Sequence, residues 1–222
     1  MRHAIGYIPI LTTILSLLFG TSVLRRYQSR PNAKHLLWWA IGIYTYGLGT
    51  FTESYVTLFG WNPFIFRMWY ITGALMGGAP LATGSVYFHL ERRVANVITA
   101  VVVAYIAVAA FFVCIVPIHM ELVEAHRLTG KVMAWPWVRL FSPFVNLYAV
   151  IFLIGGAIVS ALRASRDPSQ RNRAVGNTLI ATGAILPGIG GAFTRMGYTE
   201  VLYVGEFIGL ILIWLGYRFC TR

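Results

Sequence analysis

Ionisable side chains inside long apolar segments are the residues of this sequence best placed to do chemistry. Glu53 and Glu206 both lie within runs of mostly apolar residues. A charged group in the core of a bilayer is costly unless it is paired or bound, so such residues commonly mark an ion pair or a binding site. Three arginines, Arg67, Arg139 and Arg195, are expected at the outer ends of other apolar segments, and Asn146 is expected deeper in one of them. We predict that these six side chains converge in the outer leaflet of a membrane.

Two interpretations of this polar cluster remain open. In the structural one, Glu53 and Glu206 pair with the arginines and hold several helices together, because a guanidinium can grip a carboxylate with two hydrogen bonds. In the functional one, the cluster is an outward-opening pocket, in which the carboxylates meet a cation or the arginines meet an anion. Three arginines against two carboxylates leave one positive charge, which favours an anionic group on the ligand.

The other histidines and carboxylates do not predict a metal or cofactor site. In the segment HMELVEAHR, His119 and His126 would share a helix face yet lie about 10 Å apart, too far to hold one ion through an unbroken helix. The predicted spans contain no pair of histidines to ligate a haem and no serine in the G-x-S-x-G pattern of hydrolases. His89 with Glu91 is the nearest approach to an acid–base pair, so an intramembrane enzyme ranks third. No metal is expected, and no cofactor is identified.

The elements that must position the cluster are predicted to be membrane-spanning helices. The chain of 222 residues is 58% hydrophobic and 11% charged, whereas soluble domains carry roughly 25% charged residues. A spanning helix needs about 20 mostly apolar residues. Seven segments qualify: Ala4 to Leu24, Leu36 to Gly60, Met68 to His89, Val97 to Ile118, Trp137 to Leu162, Asn177 to Met196, and Val201 to Phe219. The expected fold is an all-α bundle of seven transmembrane helices, a single domain over residues 1–222.

The positive charges predict the orientation of this bundle. Sorting the 18 lysines and arginines by alternate ends of the seven segments puts twelve on one side and six on the other. By the positive-inside rule the N-terminus is outside and the C-terminus cytoplasmic, in a bacterial or archaeal inner membrane. The net charge of +11 is thereby explained by topology, and nucleic acid is not an expected partner.

Small residues and prolines indicate how the helices pack. The second, third, sixth and seventh segments carry small residues three or four positions apart, as Gly183 in the sixth and Gly209 in the seventh, which allows close backbone approach in lipid. Pro80 and Pro187 lie near the middle of the third and sixth segments, beside glycines, and are predicted helix breaks. Broken helices at matching places in two halves are typical of transporters. A small transporter or permease is therefore the alternative function.

Seven helices with an outer N-terminus are also the layout of microbial rhodopsins, which attach retinal to a lysine of the seventh helix. Lys34 and Lys131 are the lysines of this sequence, and both lie in predicted loops, so retinal attachment is not expected. In topology alone, the layout is similar to the seven-helix input modules of bacterial signalling proteins, and no motif assigns the chain to a family.

The sequence therefore predicts a non-enzymatic multi-pass membrane protein. We expect either a sensor-like module that binds a ligand or partner, or an integral subunit of a membrane assembly. Its expected partners are the lipid bilayer and other membrane subunits or further copies of the chain.

Overall fold

A computed structural model describes residues 4–221, and within that range the protein is almost entirely helical, with no β-strand. Its α-helices are α1 (Ile8–Ser29), α2 (Lys34–Phe59), α3 (Pro63–Trp69), α4 (Ala79–His89), α5 (Arg92–Ile115), α6 (Phe141–Ala149), α7 (Gly156–Ala164), α8 (Arg171–Arg195) and α9 (Thr199–Thr221). Two π-helical segments, Tyr70–Met76 and Val150–Gly155, join α3 to α4 and α6 to α7. Each of the seven predicted spans overlaps at least one of these helices, although the fourth extends past the end of α5 at Ile115.

Five stretches of the described chain are long and apolar enough to cross a membrane: Ile5–Ser29, Arg92–Ile115, Pro136–Ala164, Pro168–Thr194 and Thr199–Thr221. They make the chain a multi-pass helical membrane protein, as its composition predicts. α2 has the length of a span but is rich in Gly, Thr and Tyr, and many of its small and hydroxyl-bearing residues are buried against neighbouring helices.

The third predicted span is divided rather than continuous. The π-helical segment ends at Met76, and Gly77 follows with φ +34°, a backbone conformation that glycine adopts without a steric penalty. α4 then begins at Ala79, with Pro80 in its first turn, where the missing N–H of proline leaves no helical hydrogen bond unmade. By contrast, α8 continues as a helix through Pro187.

The helices close into a ring. α1 packs against α2, α2 against α4, and α4 against α6 and the Val150–Gly155 segment; α7 packs against α8, α8 against α9, and α9 back against α1. α5 lies outside this ring, against α4, α6 and the Tyr70–Met76 segment. Because α6, the Val150–Gly155 segment and α7 form one continuous wall, the interior of the ring is bounded by six helical walls.

α8 and α9 pack through glycines spaced seven residues apart. A Cβ atom added at Gly183 would lie 2.6 Å from the carbonyl oxygen of Gly209, and one at Gly209 would lie 2.6 Å from that of Gly183. The same closeness recurs one heptad away on each side, between Gly190 and Leu202 and between Gly176 and Gly216. Such small residues let helices associate in lipid, where burying apolar surface provides little driving force.

The two ends of the bundle differ in character. The connection between α5 and α6 folds over one end, the loop end, where Val116, Val132 and Val138 are fully buried. At the opposite end, the basic end, α1 stops at Ser29 and α8 starts at Arg171, close to several arginines. A candidate site lies at each end.

Candidate functional site

A pair of carboxyl groups lies between α2 and α9 near the loop end. The side chains of Glu53 and Glu206 stand within hydrogen-bonding reach of each other, and Glu53 is only 4% exposed. The indole Nε1 of Trp69 donates to Glu53 Oε1 at 3.1 Å, and the Tyr46 hydroxyl donates to the main-chain oxygen of Glu206 at 3.0 Å. The Oε2 atom of each carboxyl is buried and has no hydrogen-bond partner among the described residues.

Helix packing explains why Glu53 is buried and Glu206 is half-buried. Tyr46 and Glu53 are seven residues apart on α2 and so share one face. Gly49 lies between them, and a Cβ there would be 3.3 Å from the Cα of Gly73, so the π-helical segment lies directly on this face. Next to Glu206, a Cβ on Gly205 would be 3.0 Å from the carbonyl oxygen of Leu186, which presses this part of α9 against α8.

The arginines predicted to meet these carboxylates are directed elsewhere or lie outside the described side chains. The guanidinium of Arg67 donates to the main-chain oxygens of Val113, Cys114 and Val116, the last at 3.0 Å. It thereby satisfies carbonyls at the end of α5 that have no helical partner. Arg139 is exposed.

Asn146 and Arg195 complete the predicted set. Asn146 is exposed on α6, and its Oδ1 lies 3.6 Å from where a Cβ on Gly77 would be, so it faces the break between α3 and α4. Arg195 ends α8, and its side chain lies outside the described part of the structure. Among the described residues the ion pairs are His119–Glu121 and Arg127–Glu124, and neither includes Glu53 or Glu206.

The carboxyl pair has a strong electrostatic requirement. Two unit charges about 3 Å apart repel by roughly 5 kcal/mol at an effective dielectric constant of about 20. Burial adds the cost of removing each charge from water. No cationic side chain among the described residues is paired with either carboxyl. The pair is therefore suited to hold a positive species, a proton or a small cation, between its oxygens.

A larger site lies at the basic end, where a cavity of about 670 Å³ opens inside the ring. Four arginines line it: Arg26, Arg30, Arg163 and Arg173. Arg30, Arg163 and Arg173 are exposed and Arg26 is half-buried, so the guanidinium groups surround the mouth. No Asp or Glu is among the described residues of the lining, which leaves this positive charge uncompensated.

Away from the mouth the cavity wall is apolar. Phe19, Val23, Leu36 and Ile43 from α1 and α2 line it and are almost completely buried. α4, α8 and α9 contribute further aliphatic side chains: Leu81, Ile180 and Ile213. A charged entrance above an apolar interior matches the two parts of an amphiphile.

Fixed polar side chains shape the entrance. Arg26 lies over the ring of Tyr217 at 5.6 Å and donates to its hydroxyl at 3.4 Å. On the other side, His89 is held by two hydrogen bonds of 2.8 Å: Nδ1–H donates to the Ser85 carbonyl, and Nε2 is paired with the Ser160 hydroxyl. These contacts connect α1 to α9 and α4 to α7 around the mouth.

Sequence reasoning missed this cavity. It assigned the arginines of this end to topology, because positive charge at a cytoplasmic end needs no ligand to explain it. One signal was available: of the seven acidic residues in the sequence, Glu91 and Asp167 are the two predicted on this side. The surplus of positive charge at this end was therefore visible, although its convergence on one cavity was not.

No family model, curated protein or solved structure matches this chain. Its function is therefore inferred from its own residues.

Proposed function

We propose that this membrane protein is a non-enzymatic binding module that takes an anionic amphiphile into the basic-end cavity. The observation that carries the proposal is the set of four arginines, with no carboxylate among the described lining residues, at the mouth of an apolar cavity. Guanidinium groups bind carboxylate or phosphate through charge-assisted, often bidentate hydrogen bonds. The hydrocarbon part of the ligand would lie among the aliphatic side chains below.

The size of the cavity supports a small-molecule ligand. Its volume of about 670 Å³ falls within the range of about 300–1,000 Å³ usual for ligand pockets. The anionic preference inferred from the sequence for the outer cluster is better matched here, since Arg67 is engaged by α5 and the two glutamates face each other.

The proposed topology places this mouth at the cytoplasmic leaflet. In it the chain crosses the membrane seven times with the N-terminus outside. Supporting this are the largely helical state of the seven predicted spans and the excess of lysine and arginine on one side of the chain. Anionic lipids of the cytoplasmic leaflet would then have direct access to the arginines.

Oleate, an anion with a single apolar chain, tests the proposal. Oleate should raise the thermal unfolding temperature of the purified protein in detergent, because a ligand that binds the folded state stabilises it. The double variant Arg163→Gln/Arg173→Gln should bind oleate at least about tenfold more weakly, since a hydrogen bond to a charged group contributes about 1.5–3 kcal/mol.

The matched control is Arg92→Gln/Arg93→Gln, which removes the same charge from exposed residues of α5 that do not line the cavity. This variant should keep wild-type oleate affinity. Oleyl alcohol, which has the same chain without the charge, should bind weakly to all three proteins. Equal effects of oleate and oleyl alcohol, or equal losses in both double variants, would refute a specific anion site.

A further inference from the structure

We propose that Glu53 and Glu206 form a proton-binding site that joins α2 to α9 by one proton shared between two carboxyl groups. The two side chains are within hydrogen-bonding reach, and Glu53 is more than nine-tenths buried. The Oε2 atoms of both are buried without a hydrogen-bond partner among the described residues. This inference is independent of the ligand proposed for the basic-end cavity.

A shared proton removes the electrostatic conflict of the pair. Two carboxylates in one buried site cannot both be ionised at low cost, and one proton between them converts repulsion into an O–H···O⁻ hydrogen bond. The donor is then the protonated carboxyl and the acceptor is the ionised one. Both helices are held in this arrangement by polar contacts, through Trp69 to Glu53 and through Tyr46 to the Glu206 carbonyl.

A proton fits this site better than a metal ion. Calcium takes six to eight oxygen ligands and magnesium about six. The pair offers four carboxylate oxygens, of which Glu53 Oε1 already accepts the Trp69 N–H. The Tyr46 hydroxyl adds one more oxygen, and it is engaged with the main chain of Glu206. The described residues include no group of three or more His, Cys, Asp or Glu arranged to hold a metal.

The ionisable groups around the pair come from few elements. Tyr46 lies on α2, and Tyr203 and Glu200 lie on α9. Tyr203 is close enough to interact electrostatically with Glu200 and with both members of the pair. α1 contributes none, since its ionisable residues begin at Arg25.

Two arginines near this end have partners other than the pair. The guanidinium of Arg127 in the α5–α6 connection contacts Glu124 and the carbonyl of Thr194, and that of Arg67 contacts the end of α5. His126 lies against the Val56 carbonyl. Arg195 is the last residue of α8, which packs against α9, and its substitution is therefore part of the test.

Infrared spectroscopy of the purified protein provides a direct test. A protonated carboxyl has a C=O stretching band distinct from that of a carboxylate, and it shifts in D₂O. The other five acidic residues, at positions 91, 121, 124, 167 and 200, are exposed or half-exposed, so water can solvate their charged form. The wild-type protein should therefore show one protonated carboxyl per molecule at neutral pH.

Three variants assign this band. The band should be lost or shifted in Glu53→Gln and in Glu206→Gln. Glu200→Gln changes an exposed residue of α9, the helix that carries Glu206, and should leave the band unchanged. Arg195→Gln should also leave it unchanged. If Arg195 instead neutralised the pair, the wild type would lack the band and Arg195→Gln would gain it, which would overturn the proposal.

The wild-type spectrum alone keeps the proposal falsifiable if the glutamine variants do not fold. Absence of a protonated carboxyl band at pH 7 would refute the shared proton. Loss of the band on adding NaCl or CaCl₂ would show instead that a metal cation occupies the site, again contrary to the proposal. Neither outcome affects the oleate measurements, so the two proposals fail separately.

Discussion

Among single residues, Asp167 determines how the connection between α7 and α8 is held beside the cavity mouth. Its carboxylate accepts hydrogen bonds from the main-chain N–H and hydroxyl of Ser169, at 2.9 and 2.7 Å, and from the side-chain amide of Gln170 at 3.0 Å. These bonds cap the turn that leads into α8, and Gln170 and Arg173 both line the cavity. Hydrogen bonds to the ionised form hold the pKa of Asp167 below its ordinary value.

This cap should be lost in acid. Because the pKa of Asp167 is lower in the folded protein than in the unfolded chain, its stabilising effect is complete above the unfolded value of about 3.9 and disappears as the pH falls through the folded value. Asp167 is the single aspartate of the sequence, so ¹³C-aspartate labelling gives one carboxyl NMR signal to titrate. Ser169→Ala should move its midpoint upward, and an unchanged midpoint would contradict the assigned cause.

The sequence was enough to predict which residues are unusual, but not which groups their side chains contact. Burial in apolar segments marked Glu53 and Glu206 as unusual, because a charge there is costly wherever the helix packs. The long side chain of Arg67 can reach several acceptors, and the carbonyls at the end of α5 become its partners only once α3 and α5 are adjacent. The cavity was missed for the same reason, since its arginines come from α1, α7, α8 and the residue after α1.

Among the helices, the contact between α8 and α9 depends on a proline as well as on glycines. Pro187 has no N–H, so it cannot bond to the carbonyl of Gly183, four residues earlier. That carbonyl faces Gly209, and a Cβ added at Gly209 would also lie 3.3 Å from Pro187 Cδ. A Cα–H···O contact can therefore replace the missing helical bond, which explains how α8 continues through Pro187.

Gly209→Ala should destabilise the protein. The new Cβ would lie 2.6 Å from the Gly183 carbonyl oxygen, so the helices must separate, and overpacking of this kind costs about 1–3 kcal/mol. Gly188→Ala in α8 is the matched control, because a Cβ there meets nothing within 4 Å. Thermal unfolding in one detergent should show a lowered midpoint for the first variant and little change for the second. Equal midpoints would show that this contact does not limit stability.

Helix packing was more predictable than helix breaks. Close backbone approach at the small residues of these helices was predicted, and it occurs where Gly183 meets Gly209. Residues three, four or seven apart share a helix face whatever the partner, so the small-residue face was predictable although the partner residue was not. The break in the third segment falls at Gly77–Gly78 rather than at Pro80. Proline fits the first turn of a helix well, so it marks the start of the next helix as readily as a kink within one.

For the whole molecule, the topology determines which membrane face meets each site. The five apolar stretches alone give fewer crossings than the seven proposed, and α2 and the divided α3–α4 segment make up the difference. α2 and α4 are walls of the ring, where neighbouring helices satisfy polar side chains that lipid would not. Spans of low hydropathy are therefore compatible with the bundle.

Cysteine accessibility should verify this topology and separate binding from transport. After replacement of Cys114 and Cys220, the two cysteines of the sequence, a membrane-impermeant maleimide applied to intact cells should label Glu121→Cys at the loop end. Ser165→Cys at the basic end should react only after the membrane is opened. Both positions are exposed, so burial of the cysteine inside the protein cannot explain a failure to react. The reverse pattern would invert the proposed orientation.

A cysteine inside the cavity extends the same measurement to function. Ser85 lines the cavity and is buried; in a one-sided binding module, Ser85→Cys should react only from the basic end and should be protected by oleate. A transporter that alternates access would expose it from both ends in turn, with the break between α3 and α4 as the hinge. Reaction from the loop end in intact cells would therefore favour transport, whereas strict one-sidedness with protection by oleate fits a cavity that closes against α2, α4 and α9.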